Sequence, residues 1–75
     1  MSKSSDQDII SIFGQRMRML RKARGLSQEA FAELAALDRS YVGDVERGKR
    51  NVSLVSIKKF ADALEISMDK LFQGL

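Results

Sequence analysis

The sequence predicts an all-α fold, one bundle of five short helices that includes a helix-turn-helix. Three observations lead there. Apolar residues recur at helical spacing in successive stretches, and no convincing strand pattern appears. A serine or aspartate stands ahead of each stretch, where a helix start wants a side-chain acceptor. Proline is absent from the 75 residues, which suits short helices joined by non-proline turns. A chain of this size forms one domain with one core and buries about 60% of its unfolded surface.

The first seven residues are polar and aperiodic and are expected to be a disordered tail, leaving 8–75 as the domain. Asp8 is placed to cap a first helix with Ile9, Ile10, Phe13, Met17 and Leu20 inward, ending at Gly25. Ser27 caps a second helix, Gln28 to about Ala35, with Phe31, Leu34 and Ala35 inward. Asp38 caps a third that runs to about Arg47 and stops at Gly48. After the polar loop Lys49-Arg50-Asn51-Val52, Ser53 caps a fourth with Leu54, Ile57, Phe60, Ala61 and Leu64 on one stripe. Ser67 caps a last short helix containing Leu71 and Phe72. The set Ile66, Met68, Leu71, Phe72 and Leu75 is too apolar for so little protein, so a dimer seam is expected at Ile66, Met68, Leu71 and Phe72, with Leu71 and Phe72 split between core and seam.

Composition narrows the function. Cysteine and histidine are both absent, which removes thiolate ligands, the commonest acid/base residue and the commonest metal ligand. No metal or cofactor is expected. No apolar stretch approaches the ~18 residues that span a membrane, and Met-Ser-Lys-Ser-Ser-Asp-Gln has no apolar segment of a secretory signal. The expected setting is the cytoplasm. Thirteen Lys and Arg against ten Asp and Glu give a net charge of +3, but the distribution says more. Five basic and no acidic residues lie between Arg16 and Arg24, and six basic residues lie between Arg39 and Lys59. Clustering of this kind is the footprint of a polyanion binder, although solvated helix faces would read the same way.

The second and third helices are separated by only about three residues, the arrangement that lays the latter in a DNA major groove. Val42 and Val45, with Tyr41 at the edge, form its inner side; Arg39, Ser40, Gly43, Asp44 and Arg47 fall on one polar face. The planar fork of Arg39 can bond guanine O6 and N7 together. A mid-helix glycine costs about 1 kcal/mol relative to alanine, so Gly43 on that face suggests close approach by DNA. Asp44, an acid facing phosphates, can accept from cytosine N4 or orient Arg47. Glu46 follows Val45 on the inward face and Arg21 borders the first helix's apolar side. Two opposite charges pointed at one small core should meet, because an unpaired buried charge is prohibitively costly.

The run Gly25-Leu26-Ser27-Gln28-Glu29, then Leu37-Asp38-Arg39-Ser40-Tyr41-Val42, then Val45-Glu46-Arg47-Gly48-Lys49-Arg50-Asn51 resembles the XRE/Cro family of helix-turn-helix regulators. Ser67-Met68-Asp69-Lys70-Leu71-Phe72 is also similar, so the resemblance runs from about Phe13 to Phe72. Leu-Asp-Arg-Ser-Tyr and the Arg-Asn after Glu-Arg-Gly-Lys look most like controller proteins of restriction–modification systems. The resemblance implies a phage-repressor-like domain that binds double-stranded DNA as a homodimer on pseudo-palindromic operators, and contacts RNA polymerase when it activates. It implies a phosphate contact for Gln28, base edges for Arg39 and Ser40, and the backbone for Tyr41. Arg47, Lys49, Arg50 and Asn51 would take flanking phosphates or the groove edge, and Arg21 and Glu46 would pair. Many members have glycine where this chain has Ala36, which implies a left-handed alanine, and proline where it has Val52.

Two other classes are weaker. An antitoxin-like interaction module would need a large apolar patch beyond the dimer seam. An enzyme would need a partner base or pocket for Glu29, Glu33 and Asp38, and the sequence offers neither.

Overall fold

The computed structural model describes residues 5–75, and over them the chain is all-α. The five helices are α1 (Asp6–Ala23), α2 (Gln28–Ala35), α3 (Arg39–Glu46), α4 (Leu54–Leu64) and α5 (Met68–Leu71). Residues 1–4 of the expected tail lie outside the described residues, but residues 5–7 are structured. Ser5, rather than Asp8, caps α1: its hydroxyl accepts from the Asp8 amide at 3.1 Å, and Asp8 Oδ2 accepts from the Ser5 amide at 3.1 Å. This reciprocal box satisfies two amides that the helix itself leaves free. Gln7 then donates to the Gly48 carbonyl at 2.8 Å, tying the start of α1 to the end of the α3 region.

Serine hydroxyls cap α2 and α4 as expected, Ser27 accepting from Ala30 at 3.0 Å and Ser53 from Ser56 at 3.1 Å. Asp38 and Ser67 occupy the cap positions of α3 and α5 by backbone geometry alone, without a side-chain cap bond. The core gathers Phe13 and Met17 of α1, Phe31 and Ala35 of α2, Val42 and Val45 of α3, Phe60 and Leu64 of α4, and Leu71. Phe60 is its centre, with ring centroids 5.3 Å from Phe31 and 6.1 Å from Phe13.

Three residues expected inward are not. Ile9 is about half exposed, Leu34 is 63% exposed and Leu54 is 73% exposed. Each sits in the first or last turn of its helix or one position off the stripe, where a short helix has run past its partners. Ala32 and Ala63, not counted in the stripes, are buried instead.

A close backbone approach falls at a position that the stripes gave no reason to single out. A Cβ built on Gly14 would stand 2.1 Å from the Val45 carbonyl oxygen. Glycine is required there because α1 and α3 touch backbone to backbone. Its signal in the sequence is a glycine within an amphipathic helix, which needs a packing reason to offset its cost.

The turn between α2 and α3 is left-handed at Ala36, φ 57° and ψ 45°, as the missing glycine implies. Its amide donates to the Glu33 carbonyl, and Leu37 closes back onto Ala32 at 2.9 Å. Glu65 ends α4 in the same way at φ 59°. Left-handed backbone costs a non-glycine residue about 1–2 kcal/mol, less the entropy that glycine loses on folding. Ala36→Gly should therefore raise the unfolding midpoint in urea modestly. A lowered midpoint would mean that the turn is right-handed in solution.

Candidate nucleic-acid interface

The interface is built on α3, and α3 is held by a buried ion pair. Arg21 donates through Nε to Glu46 Oε2 at 2.6 Å and through Nη2 to Oε1 at 2.9 Å. Its remaining nitrogen, Nη1, donates to the Leu26 carbonyl at 2.7 Å, and Gln28 adds a bond to Glu46 Oε1 at 3.0 Å. Both ions are buried, 7% and 8% exposed. Such burial is tolerable because the guanidinium and carboxylate match in a two-pronged geometry and the spare donor is also satisfied. The hydrogen bond to Glu46 holds Arg21 above its ordinary value, outweighing the opposing cost of burial. One cluster thus fixes α1, the loop after it, the start of α2 and the end of α3.

Outside this anchor, α3 presents Arg39 and Ser40 to solvent at its N-terminal end, with Tyr41 half-buried beside them. Lys49, Arg50 and Asn51 are exposed in the loop that follows Gly48. At the other end of the helix, Asp44 gathers two arginines. Arg47 Nη2 reaches its Oδ1 at 2.7 Å, and Arg50 Nε reaches Oδ2 at 3.3 Å. The Arg50 guanidinium also lies 5.4 Å from the centroid of the Tyr41 ring, within the range of a cation–π contact. The two arginines, Arg47 foremost, hold the Asp44 carboxyl below its ordinary value, so it stays ionised through the neutral range. Of the two roles open to Asp44 in the sequence, orientation of Arg47 is the one seen in the free protein.

Two expected contact residues sit differently. Gly43 is buried rather than open to an approaching groove: Arg47 and Gln28 cover it, and a Cβ there would meet Arg47 Nη1 at 3.1 Å. The helix drum is two turns long, and the i, i+1 neighbours of Val42 turn inward with it. Gln28 is half-buried and gives its amide to Glu46, so its side chain braces the ion pair.

The basic run from Arg16 to Arg24 also reads differently in three dimensions. Arg16 donates to the Lys70 and Leu71 carbonyls at 2.8 and 3.2 Å, closing the C-terminal end of α5. Arg24 donates to the Leu64 carbonyl at 2.6 Å and pairs with Glu65 at 3.2 Å, closing α4. Cations belong at such helix ends, where carbonyls lack intrahelical partners. With Arg21 in the anchor, three of those five residues serve the scaffold. Lys58 pairs with Asp62 at 2.8 Å on the surface. Around α3 and the loop after it, the exposed cations are Arg39 and Lys49, together with Arg47 and Arg50, which share Asp44.

Two short helices across a left-handed turn, the second exposing arginine and serine at its leading end, define a helix-turn-helix DNA-binding domain. Residues 17–71 match the helix-turn-helix family HTH_3, of XRE type, and the chain belongs to it. It is 45% identical over 69 residues to the control protein C.MunI of a Mycoplasma species, covering 91% of this chain and 93% of that one. The crystal structure of the restriction–modification controller protein C.AhdI from Aeromonas hydrophila superposes with a TM-score of 0.83 at 62% identity, covering 85% and 97% of the two chains. SinR, a master regulator of biofilm formation crystallised in complex with DNA, superposes at 0.76 with 32% identity over 81% and 98%. The chain is a DNA-binding transcription regulator similar to restriction–modification controllers. Among the described residues, no helix is long and apolar enough to cross a membrane.

Removal of one partner of the anchor leaves the other charge buried and alone. Glu46→Ala should cost about 3–5 kcal/mol, a large part of the stability of a small domain, although Glu46 is buried away from the exposed end of α3. In a double-mutant cycle of Arg21→Met and Glu46→Leu, thermal unfolding should show strong coupling. Additive losses would mean that the two residues act independently.

Proposed function

We propose that the protein acts as a homodimer on pseudo-palindromic operators, as the controller of a restriction–modification operon. The observation that carries the operator reading is the exposed Arg39–Ser40 end of α3 on a rigidly anchored helix. Two such helices about one DNA turn apart, roughly 34 Å, would enter successive major grooves. Arg39 and Ser40 read base edges; Tyr41, Arg47, Lys49, Arg50 and Asn51 take phosphates and the groove edge. Gln28 contributes by bracing Glu46 and through the helix start beside it. The controller reading rests on the names of the similar proteins C.MunI and C.AhdI. As an activator the protein would also contact RNA polymerase from its promoter-side subunit. The family consists of regulators rather than enzymes, and no catalytic step is assigned.

Burial within the protomer divides the C-terminal apolar set between core and the proposed dimer seam. Leu71 is wholly buried within the protomer, while Ile66 and Met68 are half-buried against its core. Phe72 stacks on Phe13 at 5.6 Å between centroids yet stays 39% exposed, and Leu75 is similarly open. Within this C-terminal set, Phe72 and Leu75 are the residues left open to a second copy, with Ile66 and Met68 at the margin. Sedimentation should give a dimer for the native chain and a folded monomer for Leu75→Glu, a substitution at a partly exposed position outside the core. A native monomer at tens of micromolar, or an unchanged dimer in the variant, rejects this seam.

Selection from a random DNA pool should return imperfect palindromes, bound less tightly as salt rises. Arg39→Ala should cost about 1–3 kcal/mol on the selected site and far less on scrambled DNA. Equal losses on both would reduce Arg39 to a phosphate contact.

A further inference from the structure

Asp44 is the one acidic side chain on the outer side of α3, and the DNA-facing role of that helix gives it no obvious place. A carboxylate beside phosphates is repulsive, and the two arginines it binds are those best placed to meet the backbone. The carboxylate takes one arginine on each oxygen, Arg47 at 2.7 Å and Arg50 at 3.3 Å. The Tyr41 ring lies against Arg50 from the other side. Asp44, Arg47 and Arg50 are all partly solvent-exposed, with side chains 28%, 56% and 53% accessible, so a phosphate can compete for the guanidinium groups.

We propose that Asp44 is a specificity-determining residue that holds Arg47 and Arg50 off the phosphate backbone unless the recognition helix is seated on its own site. The proposal rests on the DNA-binding reading of α3. Phosphate contacts carry the sequence-independent part of DNA affinity. To make them, Arg47 and Arg50 must leave a carboxylate that already neutralises them. On a scrambled duplex nothing replaces that loss, because Asp44 is left as an uncompensated anion against phosphates. On the cognate site Arg39 and Ser40 fix the helix close to the base edges, one turn from Asp44. There the carboxylate can accept from an exocyclic base amine, the donor that a carboxylate reads in the major groove. The exchange of partners is then balanced on the cognate site and unbalanced elsewhere. Asp44 thereby lowers random binding more than specific binding.

The test compares the native protein with Asp44→Asn and Asp44→Glu by fluorescence anisotropy. The probes are a duplex recovered by selection and a scrambled duplex of equal length, from about 50 to 200 mM salt. Preference of the native protein for the selected duplex tests the parent reading by itself. Given that preference, Asp44→Asn should bind the scrambled duplex about tenfold more tightly, with a salt slope steeper by about one to two ions. Its affinity for the selected duplex should change less than about threefold. Asp44→Glu should keep the native ratio, and thermal unfolding should show both variants folded. Equal tightening on both duplexes would reduce Asp44 to a general repulsive charge and overturn the proposal. Unchanged or weaker binding to the scrambled duplex would overturn it as well, making Asp44 a residue that pre-positions the arginines for phosphate.

Discussion

The bond between Arg21 and Glu46 is the constraint on which the rest of the structure depends. Helix α3 is eight residues long, only about 12 Å. So short a helix cannot hold its orientation by apolar burial alone, since Val42 and Val45 are its only fully buried apolar side chains. Glu46 supplies a directional restraint that apolar contact lacks. It accepts from Arg21 twice and from Gln28 once, which leaves little freedom for rotation of α3 about its own axis. Rotation is the motion that the proposed base reading can least tolerate, because it would swing Arg39 away from the groove floor. Gly14 sets the other coordinate: it lets the α3 backbone settle against α1 more closely than any side chain there would allow.

The same economy governs the charges. An 8.4 kDa domain has too little apolar material to close every helix end. Arg16 and Arg24 do this instead, each giving guanidinium hydrogen bonds to carbonyls at the end of another helix. These bonds cross 40 to 55 residues of sequence, so they also fasten α4 and α5 to α1. The consequence for function is a separation of charge by use. Arg16, Arg21 and Arg24 serve the scaffold, and the arginines of α3 and its following loop remain at the surface, where a polyanion can reach them.

Much of this was legible in the sequence, and the failures have physical causes. Cap residues, stripe spacing and the short α2–α3 connection gave the helices, and inward-pointing Arg21 and Glu46 gave the ion pair. Ala36 was legible through the family resemblance, while the equally left-handed Glu65 carried no comparable sign. Leu34 and Leu54 were misplaced because hydrophobicity marks a helix face but not whether a partner reaches its first or last turn. The clustered arginines misled for a related reason: linear charge density counts cations without showing which carbonyls lie across the fold. Gly43 was assigned to the outer face from its spacing to Arg39, although it is also the immediate neighbour of buried Val42. On a two-turn helix each residue borders both sides, and here the long side chains of Gln28 and Arg47 decide the matter by covering it.

That boundary explains why so small a helix carries both a buried ion and an exposed code. Eight residues divide into Val42, Gly43, Val45 and Glu46 inside, and Arg39, Ser40, Tyr41 and Asp44 outside or at the edge. With four inward positions, one of them glycine, an all-apolar inner face would bury too little to fix one orientation. Glu46 resolves this by reaching the charge on α1, and the outer four carry no packing duty that fixes their identity as strictly. The scaffold restraint and the recognition surface thus lie on opposite sides of one helix. Arg47, which packs over Gly43 and pairs with Asp44, is the residue that touches both.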